Sequence, residues 1–199
     1  WATEFGLTTK TDIDLPEERP ARVFPTPASV PRWTQGEMIN LSIGQGRMLF
    51  TPLQISTGVC AIANRGTVYK PRVAQKVIAP DGKIIKTFDP AVTGVIRAST
   101  KSWDVIHRAM WEVVNTPSGT GRRIVDPESN FIMAGKTGTA QIPPHDSHAW
   151  FVCYGPFDNP EIVVTVLVEH SGHGGEVASP LAKKIVDVYL GRVKLEELV

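Results

Sequence analysis

The spacing of apolar positions changes several times along the chain, and each change marks an element. From Thr51, the run Thr-Pro-Leu-Gln places a hydroxyl N-cap before a proline at the first helical position. Leu53, Ile55, Val59, Cys60, Ile62 and Ala63 follow at near-helical spacing, which predicts a buried helix ending at Asn64-Arg65-Gly66. Between Thr67 and Phe88, alternating stretches lie on either side of Pro80-Asp81-Gly82. This is the pattern of a short, peripheral hairpin, with Asp-Gly supplying the positive backbone dihedrals of a tight turn. Helical spacing returns from Ser99 to Asn115, with Trp103, Ile106, Ala109, Met110, Val113 and Val114 on one face behind a Ser/Thr cap. Gly119-Thr120-Gly121 then reads as a flexible turn.

The last third alternates as strands do. Phe131 to Ala134 is strand-like, and strands are predicted over Lys136 to Ile142, Ala149 to Tyr154 and Ile162 to Val168. The turn signal Pro156-Phe157-Asp158-Asn159-Pro160 joins the last two as an antiparallel hairpin. A helix from Ser179 to Leu190, with Leu181, Ile185, Val188 and Tyr189 on one side, is expected to pack on that sheet. The fold class is therefore α+β: an antiparallel sheet of three main strands flanked by helices. Proline at high density from Thr11 to Arg32 forbids helix interiors and central strands there, so residues 1–50 read as an extended, Pro-rich segment. Residues 51–130 form a helical and hairpin region, and residues 131–199 carry the sheet strands and the terminal helix.

Composition narrows the classes of function. A chain of 199 residues with 42% hydrophobic content can bury one real core. The 21 Lys+Arg nearly cancel the 20 Asp+Glu and are scattered, which argues against a nucleic-acid partner. The longest apolar run, Ile162 to Val168, falls far short of the roughly 20 residues that a membrane span needs. No basic-then-apolar leader opens the chain, which starts at Trp1 as an excised or processed piece would, so any anchor is expected upstream. Cys60 and Cys153 sit among apolar neighbours and read as buried free thiols. Trp1, Trp33 and Trp111 read as packing residues.

The chemistry concentrates in Ala134-Gly135-Lys136-Thr137-Gly138-Thr139-Ala140-Gln141, where an amine, two hydroxyls and a glycine fall in a row on a predicted strand. Strand alternation sends Lys136 and Gly138 to one face and Thr137 and Thr139 to the other. If that strand lies at a bare edge, an extended peptide can pair with it as an added strand.

Lys136-Thr137-Gly138 is also one of the motifs of penicillin-binding enzymes. It comes in order with Phe5-Gly6-Leu7, Thr11-Asp12-Ile13-Asp14-Leu15-Pro16, Ile43-Gly44-Gln45-Gly46, Thr51-Pro52-Leu53-Gln54, Ala63-Asn64-Arg65-Gly66 and His148-Ala149-Trp150-Phe151. On these blocks the sequence resembles the C-terminal part of the transpeptidase domain of class B penicillin-binding proteins. The resemblance implies a penicillin-binding, β-lactamase-like fold and a serine acyl-enzyme formed on the D-Ala-D-Ala end of a peptidoglycan stem peptide, with β-lactam antibiotics as inhibitors and no cofactor or metal. It implies that Lys136 directs positive charge toward the substrate's terminal carboxylate and the hydroxyl network. Thr137 and Thr139, with Gln141, would bind the substrate, Gly138 would allow its close approach, and the Thr139 N–H would be one oxyanion donor. It further implies the extracytoplasmic face of a bacterial inner membrane, a parent anchored by an N-terminal helix, and a membrane glycan polymerase as partner.

No serine from Ser29 to Ser179 is followed by lysine three residues on or by asparagine two residues on. The nucleophile and its lysine are therefore expected in a missing N-terminal half, and the chain alone is expected to be inactive. A noncatalytic β-lactam sensor and a peptidoglycan- or partner-binding module are the alternatives. His145-x-x-His148 and His170-x-x-His173, near Glu169 and Glu176, flank strands and can be assembled on paper into a metal site, but glycines fill the second group and polar lining is the expected role. Gly119-Thr120-Gly121-Arg122-Arg123 follows a helix where a phosphate cradle precedes one, so it reads as a turn.

Overall fold

A computed structural model of the chain describes residues 1–18, 34–125 and 131–198. They form two compact units: Trp1–Ala61 with Gly66–Arg97, and Ile62–Arg65 with Ala98–Val199.

In the first unit, α1 (Gln35–Ser42) stands inside the segment read as extended. Thr34 and Glu37 cap each other's backbone N–H groups at its start, and this reciprocal capping overrides the extended bias of the prolines before it. Most of the Thr11–Arg32 loop, and Trp33, lie outside the described residues. Asp14 accepts hydrogen bonds from the N–H groups of Val73 (2.6 Å) and Ala74 (3.0 Å), which hold its carboxyl below the ordinary value.

Helix α2 (Pro52–Ala63) begins where the cap and proline place it. Thr51 and Gln54 form a second reciprocal box, at 3.1 and 3.2 Å, and the Gln54 amide donates to the Thr9 carbonyl at 2.7 Å. Gln54 is thus buried with its polar atoms satisfied. Strands β2 (Lys76–Ile78) and β3 (Ile84–Thr87) make the Asp-Gly hairpin, fully exposed as expected, with Gly82 at φ +86°. Strand β1 (Thr67–Tyr69) pairs instead with β4 (Val92–Val95), so the hairpin is an excursion between paired strands.

The second unit is built on β5 (Ala134–Ile142), β6 (His145–Gly155) and β7 (Ile162–Val168), antiparallel in the order β5-β6-β7. Phe131 to Met133 precede the strand rather than belonging to it. Ala149, Phe151 and Cys153, alternate residues of β6, join Val114, Ile124, Met133, Val164, Ala178, Ala182 and Val186 in the core. Helix α3 (Thr100–Asn115), capped by Ser99, packs on β5; its buried stripe is Trp103, His107, Met110 and Val114, and Ala109 is exposed.

Helix α4 (Ala178–Tyr189) packs on β6 and β7, but not by the face that apolar bulk suggests. Ala178, Ala182 and Val186 are buried, whereas Leu181, Ile185 and Tyr189 are 42%, 49% and 59% exposed. Small side chains let the helix lie close to the sheet, and Asp187 is buried beside them because Lys183 and Arg192 pair with it. Trp1, expected to pack, is 71% exposed.

Both cysteines are free thiols, Cys153 fully buried and Cys60 half-buried. Burial pushes the Cys153 thiol up to about 12 from 9.0. The unfolded chain therefore loses this proton first. The associated stability is intact below the unfolded thiol's pKa and is lost as the pH rises toward that of the folded thiol. A colorimetric thiol titration at neutral pH is expected to modify Cys60 alone in the folded protein and both thiols in denaturant. Early reaction of Cys153 would contradict this packing.

Candidate active site

Strand β5 lies at the margin of its sheet. Its residues pair with β6 in the register Lys136 to Val152, Thr137 to Phe151, Gly138 to Trp150 and Thr139 to Ala149, and no strand pairs with its other side among the described residues. Unpaired N–H and C=O groups along such a margin are what an extended peptide requires.

Thr137 and Thr139 open into a cavity of about 310 Å³ whose walls also include Thr120, Arg123, His173 and Glu176. The Thr120 and Thr137 hydroxyls are hydrogen-bonded at 2.7 Å. Thr120 reaches this position because the Gly121 N–H donates to the Val113 carbonyl at 2.9 Å, folding the chain back at the end of α3. Wider depressions, of about 570 Å³ on the exposed side of α3 and about 510 Å³ beside Pro156, do not include β5.

The segment from His173 to Glu176 is pressed onto this site. A Cβ at Gly174 would lie 2.0 Å from the Trp150 carbonyl oxygen and 2.5 Å from that of Gly138. A Cβ at Gly175 would lie 2.1 Å from the Thr120 carbonyl oxygen. These two glycines let one backbone lie directly against others, so the wall formed by His173 and Glu176 holds a fixed height over β5.

The structure thus brings Thr137 and Thr139 together in one cavity. It places Lys136 elsewhere: the side chain is exposed, and its ammonium donates to the Thr137 carbonyl at 2.7 Å. Gly138 backs onto Trp150, whose Cβ would sit 3.0 Å from an added methyl, and Gln141 is exposed toward the end of the strand. His173 lines this cavity with Glu176, in keeping with the polar lining expected of it, and Thr120 and Arg123, expected only as parts of a turn, complete the wall. The signal for Thr120 was available, since a threonine between two glycines after a helix marks a side chain delivered by a tight turn.

Three of the four paired histidines also meet. The His170 ring centroid lies 5.1 Å from that of His145 and 4.6 Å from that of His148, and the His170 backbone N–H donates to His148 Nδ1 at 3.0 Å. Among the described residues no group of three such side chains is arranged to hold a metal ion. A fifth histidine, His107, is buried in α3. Its Nε2 donates to the Ile62 carbonyl at 2.8 Å, which leaves Nδ1 to accept from the Tyr154 hydroxyl at 3.2 Å. Burial pushes that phenol up to about 12, and the pair reads as a structural contact.

Residues 1–187 match the penicillin-binding protein transpeptidase domain. The chain is 34% identical over 214 residues to the peptidoglycan D,D-transpeptidase MrdA of Haemophilus influenzae, a match covering 96% of this chain and 32% of that protein. Among solved structures, penicillin-binding protein 2B of Streptococcus pneumoniae superposes with a TM-score of 0.81 at 27% identity, over 98% of this chain and 32% of that one. PBP2 of Pseudomonas aeruginosa, solved with WCK 5153, gives a TM-score of 0.79 at 33% identity, over 94% of this chain and 42% of that one. The chain spans about a third of the length of the curated relative it matches.

Proposed function

The chain belongs to the penicillin-binding protein transpeptidase family, and from that premise we propose that it is the substrate-binding half of a peptidoglycan D,D-transpeptidase. In the complete enzyme a serine attacks the carbonyl of the penultimate D-Ala of a stem peptide. The terminal D-Ala leaves, and the acyl group passes to an amine on a neighbouring strand. β-Lactams would acylate the same serine.

The observation that carries this reading is the open margin of β5 with two threonine hydroxyls in a walled cavity beside it. The stem peptide extends along the margin, and its carboxylate end is received by Thr137 and Thr139. The Thr139 N–H is one oxyanion donor; removing one donor of this kind costs enzymes about 2.7–4 kcal/mol of transition-state stabilisation. Lys136 serves the hydroxyl network on the nucleophile's side. No Ser-x-x-Lys or Ser-x-Asn occurs in these 199 residues, so the serine comes from elsewhere in the protein.

No described helix is long and apolar enough to cross a membrane. We place the protein at the periplasmic face of the inner membrane, held by an anchor outside this chain and working with a glycan polymerase. Incubating the full-length protein with stem-peptide substrates, with and without benzylpenicillin, tests the activity. Cross-linked product that the antibiotic abolishes is the expected result. Acylation without product would identify a sensor, and neither reaction would identify a binding module.

A further inference from the structure

Thr137 and Thr139 carry no charge, and the cation assigned to the carboxylate on sequence grounds does not line their cavity: the Lys136 ammonium is bound to the Thr137 carbonyl at 2.7 Å. The guanidinium side of the cavity comes from Arg122 and Arg123. Arg122 donates to the Pro117 carbonyl at 2.9 Å and so ties down its own loop. Arg123 faces Glu176 across the rim, Nη2 to Oε1, at 3.7 Å, with the two side chains 62% and 57% exposed.

That separation is too long for a hydrogen bond, and an exposed ion pair of this kind contributes little to stability. Its base is nevertheless fixed: Arg123 stands on the short 3-10 turn Arg122–Ile124, whose Ile124 is 2% exposed in the core. A guanidinium fork on a rigid turn, loosely paired, beside two hydroxyls and next to an open strand margin is suited to receive a carboxylate two bonds at a time.

We infer that Arg123, rather than Lys136, supplies the positive charge that receives the substrate's terminal carboxylate, and that Glu176 is a resident anion which this carboxylate displaces. Arg123 is then a specificity-determining residue: it selects ligands that end in a carboxylate. The inference rests on the transpeptidase reading above, and its test separates the two.

The test measures second-order acylation rate constants of the full-length protein with benzylpenicillin and with benzylpenicillin methyl ester, which lacks the negative charge. Acylation of the wild-type protein by the free acid, faster than by the ester, is the starting expectation. Arg123→Gln is expected to slow reaction with the acid by about tenfold, the size of one charge-assisted hydrogen bond, and to leave the ester rate unchanged. Arg123→Lys keeps the charge without the fork and is expected to fall between. Glu176→Gln removes the competing anion and is expected to raise the acid rate about threefold, the size of a surface ion pair.

If the wild-type protein is acylated but Arg123→Gln keeps the wild-type ratio of acid to ester rates, the inference is wrong and the transpeptidase reading stands. An equal slowing of both reagents has the same meaning, because it reports a structural defect. If the wild-type protein is not acylated by either reagent, the transpeptidase reading itself falls and the inference with it.

Discussion

Gly174→Ala is expected to destabilise the second unit by about 3 kcal/mol or more, at the upper end of what one added methyl does to a packed interior. The methyl would stand 2.0 Å from the Trp150 carbonyl oxygen and 2.5 Å from that of Gly138. Both obstacles are backbone in paired strands, so neither can turn aside as a side chain would. Either β5 and β6 part or the segment from His173 to Glu176 lifts off, and lifting opens the cavity wall. Chemical denaturation of the variant should show a lower midpoint together with slower β-lactam acylation of the full-length protein. Gly36→Ala is the matching control. That position has nothing within 4 Å of the added atom, and a helical Gly-to-Ala change stabilises by up to about 1 kcal/mol. Equal stability of the Gly174 variant and wild type would mean that the segment is not seated on β5.

Thr137→Val is the second large effect, and it falls on function rather than folding. Valine keeps the shape and the β-branching that suit a strand, while the hydroxyl that meets Thr120 at 2.7 Å is lost. Thr120 is exposed, so water takes over its bond and stability should change little. The acylation rate of the full-length protein is expected to fall about ten- to hundredfold, the range for losing a hydrogen bond to a charged group. Thr120→Val, which removes the hydroxyl that meets Thr137, should cost less, and Thr120→Ser should restore the rate because the hydroxyl remains. A Thr137→Val protein that acylates at the wild-type rate would remove this hydroxyl from the site.

Much of this was readable from local pattern. Helix α2 begins at Pro52, α3 spans Thr100–Asn115 behind Ser99, and β7 runs Ile162–Val168, because caps, prolines and alternation are determined by residues close in sequence. The Lys-Thr-Gly strand was visible for the same reason. What escaped depends on distant partners. The buried stripe of α4 is made of small residues, and the bulkier Leu181, Ile185 and Tyr189 stay exposed, a choice set by how closely the sheet allows the helix to approach. Helix α1 escaped because the prolines before it outweighed one reciprocal cap at Thr34 and Glu37. The cavity beside β5 gathers Thr120, Arg123 and His173 from a turn, a short 3-10 helix and a loop that precedes α4. No spacing rule links them. Their meeting depends on Gly174 and Gly175, whose role appears only once the opposing carbonyl groups are in place.

These residues are expected to bind the acyl donor while another part of the protein attacks it. Intact-mass measurement after incubation with benzylpenicillin tests that most directly, on the full-length protein and on residues 1–199 side by side. One covalent adduct is expected on the full-length protein and none on residues 1–199. A stable adduct on residues 1–199, or no adduct on the full-length protein, would contradict it.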